Sequence, residues 1–158
     1  MNPTREMLRH TIATLAYRAA KATRGAPPTF ADFRAGDGVR TPVQIVAHMG
    51  DLFDWALSLV KGQWAYIQST PRGWEPELER FHAALSAFDG YLASDAPLGM
   101  QVEKLFQGPI ADALTHVGQI AILRRLADAP IRAESYPRSD IVVGRVGREQ
   151  TPSQFEFD

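Results

Sequence analysis

Apolar residues recur three and four positions apart over four separate stretches of this chain, each closed by glycine or proline, a pattern that commits the polypeptide to long amphipathic helices. The first covers residues 3–24, with Asn2 or Thr4 as cap, Pro3 near its start, and Leu8, Ile12, Leu15 and Ala19 along one face; Gly25 and Pro27-Pro28 end it. The second opens on Thr41 and Pro42, carries Ile45, Met49, Leu52, Phe53, Ala56 and Leu59, and stops near Lys61 before Gly62. A third, over about 75–93, aligns Leu78, Phe81, Leu85, Phe88 and Leu92. The fourth, over about 108–128 with Pro109 starting or kinking it, is apolar around much of its circumference, which suits a central helix.

The segments between are of three kinds. Residues 26–40 form a long connection in which Gly36-Asp37-Gly38 marks a turn without the spacing of a phosphate-cradling loop, and Phe30 and Phe33 can pin it to the helices. Residues 64–73 form a second connection with room for a helical turn. Beyond Pro130 the chain changes character, with Ile141-Val142-Val143 and Val146 set among Gly, Arg and Pro, and residues 131–158 read as an extended C-terminal arm lying on the helices. The expected fold is therefore all-α: one domain over residues 1–158, an up-and-down four-helix bundle with a long connection after the first helix.

Charge and composition narrow the function. Seventeen Lys and Arg against eighteen Asp and Glu leave a net charge of −1, so there is no broad positive field for a nucleic-acid backbone or an anionic membrane surface. No stretch of about 18 apolar residues suits a membrane span, and the start of the chain, with Arg5, Glu6 and Arg9, lacks a leader's apolar core. The expectation is a soluble, cytoplasmic protein acting on a small molecule, and the small and apolar residues on exposed faces of the first helix suit a homodimer. The chain has no cysteine, which excludes a thiolate zinc site and a protein thiol nucleophile. Any thiol chemistry here uses a thiol from outside.

Two of the four histidines fall on apolar helix faces. His10 and His82 sit beside the stripes and read as surface or boundary residues. His48, by contrast, has Ile45, Leu52 and Trp55 three back, four on and seven on; His116 has Ala113, Ile120 and Leu123 at the same intervals. An inward imidazole carries a donor and an acceptor that both need partners, so each is a hydrogen-bonded core histidine or a ligand. Asp112 stands four residues before His116, on the same helix face, where Cβ atoms are about 5–6 Å apart. Carboxylate and imidazole at that spacing, joined by a ligand from a neighbouring helix, make a divalent-metal site with open positions. The alternative for Asp112 is a helix N-terminal charge or an ion pair with a cation such as Arg124.

These residues resemble the DinB-like superfamily of helical bundles: Ala47-His48-Met49 with Asp51 and Trp55 on one helix, and Asp112 through His116-Val117-Gly118-Gln119-Ile120 followed by Leu123-Arg124-Arg125 on another. The likeness spans most of the chain. It implies that a histidine on the second helix joins two histidines four residues apart on a later one to hold zinc, nickel or a similar ion. His48 and His116 match that pattern, whereas Asp112 stands in place of the other histidine and Val117 where arginine is frequent. The expected metal ligands are His48, Asp112 and His116. Asp51, Trp55, Gln119 and Tyr136 are weaker pocket candidates, Asp51 as a group that could orient His48 or ligate.

The resemblance further implies a metal-dependent transferase or isomerase that uses a low-molecular-weight thiol as cofactor, with catalytic residues beyond the ligands left unassigned. Hydrolysis promoted by the metal is the alternative chemistry. A ligand-binding or stress-related bundle, in which the polar trio only fixes the helices, is the alternative to catalysis.

Overall fold

The computed structural model describes residues 2–158. Three long helices come first, α1 (Pro3–Thr23), α2 (Pro42–Val60) and α3 (Trp74–Ala93), followed by the single turn α4 (Val102–Leu105) and the long helix α5 (Ala111–Leu126). The all-α four-helix bundle expected from periodicity is the observed fold, with a minimal antiparallel ladder between β1 (Ala133–Glu134) and β2 (Glu156–Phe157).

Helix ends follow local chemistry. The Asn2 side chain accepts the Thr4 N–H at 2.9 Å and Pro3 occupies the first turn of α1, while Gly25 leaves the helix at φ +62°. At α2 the Thr41 N–H donates to the Gln44 side chain at 2.9 Å. Pro109 has no N–H to give the ladder, and its ring crowds the preceding turn. The chain answers with a wide π turn over Phe106–Ile110, in which Gly108 takes φ −89° and ψ −107°. The fourth long helix thus begins at Ala111 instead of 108, with Asp112 in its first turn.

Helix direction departs from simple alternation. The ends of α2 and α3 meet at Gly62 and Gly99, where the Gly99 N–H donates to the Val60 carbonyl at 2.7 Å and an added Cβ on Gly99 would fall inside the Gly62 backbone. At the other end, Gly73 and Trp74 lie beside Thr41, Val43 and Gln44. Helices α2 and α3 therefore run parallel. The connection between them retraces α2: nineteen helical residues measure roughly 28 Å, which an extended chain covers in about nine residues. That requirement leaves no slack for a helical turn, and residues 63–73 have none. Helix α1 runs opposite to α3, since Arg5 donates to the carbonyls of Leu92 and Ser94, and α2 runs opposite to α5. In cross-section α1 and α2 occupy opposite corners, each packed on α3 and α5. Ile12, Leu15, Phe53, Phe81, Leu85 and Phe88 fill the space between them and are fully buried.

Two ionic hubs hold this frame. Arg80 of α3 donates to the Ala47 carbonyl (2.6 Å) and Ser69 Oγ (2.8 Å), and pairs with Asp51 (3.0 Å) and with Glu77 (2.8 Å). One guanidinium thus ties α2, α3 and the returning connection together. Gly50 is what lets it pass, because a Cβ there would lie 2.8 Å from Arg80 Cζ. The second hub anchors the arm: the enclosed Glu134 carboxylate accepts from Tyr17 (2.5 Å), Ser139 (2.7 Å) and Ser153 (2.9 Å) and pairs with Lys21 at 3.0 Å. Burial alone would raise the Glu134 carboxyl; those four donors instead lower it to about 2. The arm also buries His82, at 5% exposure, with Nδ1 3.0 Å from the Val146 carbonyl. The surface position expected for His82 is thereby corrected: periodicity within α3 cannot show that a distant segment folds over that flank. His10 is exposed as expected.

Two outcomes follow for stability. The Glu134 carboxyl is depressed from 4.5 to about 2 on folding, so its contribution, on the order of 3 kcal/mol, is complete above pH 4.5 and drains away as pH falls toward 2. Glu134→Gln should cost about 2–4 kcal/mol at pH 7 in urea unfolding and flatten the stability profile across that acid window. Gly50→Ala should lower the melting midpoint by about 2–10 °C, since it forces Arg80 from its partners.

Candidate metal centre

The antiparallel contact of α2 with α5 brings His48 opposite the first turns of α5. His48 Nε2 lies 3.5 Å from Asp112 Oδ2, His116 Nδ1 lies 3.2 Å from Asp112 Oδ1, and the two imidazole centroids are 4.8 Å apart. One donor atom from each of the three residues falls within 4.8 Å of the others. A tetrahedral ion with bonds of about 2.0–2.1 Å sets its donors about 3.3 Å apart. The His48–Asp112 edge, at 3.5 Å, is close to that length. The group can hold a divalent ion. His116 is nearly enclosed, while Asp112 and His48 stand at the rim, which leaves the outer side of the trio open.

Hydrogen bonds choose the ring tautomers. His116 Nδ1 sits 2.7 Å from the Asp112 carbonyl, an acceptor only, so Nδ1 carries the proton and Nε2 keeps its lone pair. That arrangement, a ring N–H given to a backbone carbonyl and the opposite nitrogen free, is the usual support of a metal-binding histidine. His48 Nδ1 is 3.3 Å from Tyr66 Oη, and donation to that oxygen would likewise free Nε2. Burial, followed by the charges of Arg40 and His116, holds the His48 imidazole below its ordinary value of 6.5 against the opposing pull of Asp112. It is neutral at pH 7, as a ligand must be.

Arg40 and Tyr66 are the site residues that periodicity misses. Arg40 Nη1 is 3.4 Å from His116 Nε2, so a guanidinium now uses the lone pair that an ion would take. A basic residue just before a helix start opposes the helix dipole, and that local misfit is the one signal of Arg40 in the sequence. Tyr66 belongs to the returning connection, whose run Trp64-Ala65-Tyr66-Ile67 is too aromatic for a free loop.

The weaker candidates divide. Asp51 is buried beside His48, but its carboxylate accepts the Ser69 N–H at 3.0 Å and pairs with Arg80, so it holds the wall of the cleft. Trp55 stands two turns beyond His48 on α2, edge-on to Trp64 and Tyr66 at 6.3 and 5.9 Å between centroids. Gln119 is exposed on α5, and Tyr136 packs against Tyr17 and under Arg18, on α1. Arg124, weighed as a partner for Asp112, instead caps the end of α1 through the carbonyls of Ala22 and Arg24.

No helix among the described residues is long and apolar enough to cross a membrane. No protein-family model, curated protein or solved structure matches the chain.

Because Arg40 and an ion compete for one lone pair, Arg40→Met should tighten zinc binding by about tenfold, the worth of one near, partly screened charge. Competition against a chromophoric chelator measures it; weaker binding in the variant would show that Arg40 supports the ion. The same titration should be flat above about pH 7 and weaken only at more acid pH, below the ordinary imidazole value of 6.5, as protons compete for His48, whose imidazole is held below that value.

Proposed function

We propose that this chain is a divalent-metal enzyme of the DinB-like type, with zinc or nickel held by His48, Asp112 and His116, and that it transfers or isomerises a small electrophile with the help of a low-molecular-weight thiol. The observation that carries the reading is the meeting of three donors from two helices, with His116 Nε2 freed by the Asp112 carbonyl and one side of the trio open. Two histidines and one carboxylate suit zinc or nickel, and open positions mark a catalytic more than a structural centre. A divalent ion in such a site is a Lewis acid that makes a thiol or a water acidic enough to serve as a nucleophile near neutral pH.

The chain's own residues supply the rest. His48 enters neutral, His116 presents Nε2 because its Nδ1–H is given to the Asp112 carbonyl, Asp112 offers a carboxylate oxygen, and Tyr66 orients His48 through its Nδ1. With no cysteine in the chain, the thiol comes from a cofactor molecule. The motif around His116 that resembles DinB-like proteins favours the thiol version over hydrolysis. Pairing of two copies through exposed apolar residues of α1, among them Met7, is an expectation that sedimentation checks.

A second reading has its own observation. Arg40 already occupies His116 Nε2, and no buried side-chain nitrogen or oxygen among the described residues is without a partner, so the trio is satisfied as a metal-free fastening between helices. Metal analysis of untagged protein separates the two. The enzyme reading expects close to one divalent ion per chain, falling more than tenfold in His116→Ala and in Asp112→Asn with helicity unchanged. A wild-type content far below one, with an unchanged melting midpoint on adding zinc or nickel, would leave the fastening alone. Cobalt-substituted protein should change its visible spectrum on adding a cysteinyl thiol; an unchanged spectrum would exclude the thiol version and favour hydrolysis.

A further inference from the structure

The trio lies between two depressions of opposite character, and each shares one of its residues. The first is a cleft of about 160 Å³ that includes His48 and is walled by Arg40, Gln44, Gln68 and Ser69. Its single carboxylate, Asp51, is already taken by Arg80 and the Ser69 N–H, so the unmatched charge there is the cation of Arg40. The second, about 420 Å³, includes Asp112 and is formed by Trp55, Gln107, Gly108, Ala111 and Thr115. Trp55 gives it an indole wall braced by Trp64 and Tyr66, and beyond the neighbouring backbone of its own turn nothing lies within 4 Å of where a Cβ on Gly108 would be.

We infer that the substrate is a small amphipathic carboxylate, roughly 10 Å between its ends, that lies across the trio with its anionic end on Arg40 and a planar apolar end against Trp55. The inference rests on the proposed metal centre. The length follows from the helix: Trp55 is seven residues, or about 10.5 Å of rise, beyond His48 on the same face, and Arg40 lines the cleft that includes His48. Charge sets the orientation. An ion that takes the His116 lone pair releases the planar guanidinium into the cleft, where a carboxylate can accept two parallel hydrogen bonds from it. An aromatic or alkenyl group then fills the Trp55 depression by edge or face contact. The reacting centre falls between the two ends, beside the open side of the trio.

Calorimetric titration of zinc-loaded protein with 4-phenylbutyrate, and with three analogues each lacking one feature, tests this. Benzoate is too short, hexanoate lacks the ring and 4-phenylbutanol lacks the charge. The expected result is that 4-phenylbutyrate binds at least tenfold more tightly than each. Arg40→Met should erase the advantage over the alcohol and leave zinc bound. Ala111→Phe, which fills the apolar depression from its rim, should erase the advantage over hexanoate, and Trp55→Leu should do the same if it keeps the wild-type helicity. Equal binding of all four compounds by zinc-loaded protein, or discrimination that survives both Arg40→Met and Ala111→Phe, overturns the inference and leaves the metal centre intact. The same ranking in metal-free His116→Ala protein would instead uphold the substrate class and count against the ion's part in it.

Discussion

Arg80 is the fixed point of this bundle. Its guanidinium sits where two parallel helices and an extended return segment meet, and it is satisfied only when all three are in place: the Ala47 carbonyl and Asp51 from α2, Glu77 from α3, Ser69 from the return. A half-buried cation held against buried carboxylates is costly unless its donors are matched, so register errors between these elements are penalised. The site inherits that precision. The return segment that Arg80 holds is the one that carries Trp64 and Tyr66 to the side of His48 and Trp55.

The candidate centre is organised by competition between positive charges. The imidazoles of His48 and His116 and the carboxylate of Asp112 meet there, and the Arg40 guanidinium now engages His116 Nε2. An ion and Arg40 cannot both engage His116 Nε2. An ion bound by the trio would therefore release a cationic side chain into the adjoining cleft. The arm plays a separate part: Glu134 with its four donors, and Val146 over His82, close the face of the bundle away from the return segment.

Much of the site was legible beforehand, for reasons that are local. Seven-residue spacing set His48 and Trp55 on one face of α2, and four-residue spacing set Asp112 beneath His116, because helical geometry fixes both without reference to the rest of the molecule. What such spacing cannot convey is a partner brought by another element. Arg40 was hidden because it belongs to no periodic stretch, Tyr66 because it lies in a connection, and the burial of His82 because it is produced by an arm some sixty residues on. Asp51 shows the same limit from the other side: its place beside His48 followed from helix geometry, but its occupation by Arg80 depended on α3.

The sequence by itself determined four long helices, most of their ends and the apolar stripes that face inward, since these depend on steric and hydrophobic rules acting over a few residues. Only the tertiary structure decided that α2 and α3 run the same way, that α5 starts after a wide turn at Gly108-Pro109, and that His48 meets Asp112 and His116 under the reach of Arg40. The physical reason is that helix direction depends on the path of the connections and on buried pairs such as Arg80 with Asp51. Those are interactions between residues far apart in the chain, whose worth exists only once the elements have packed.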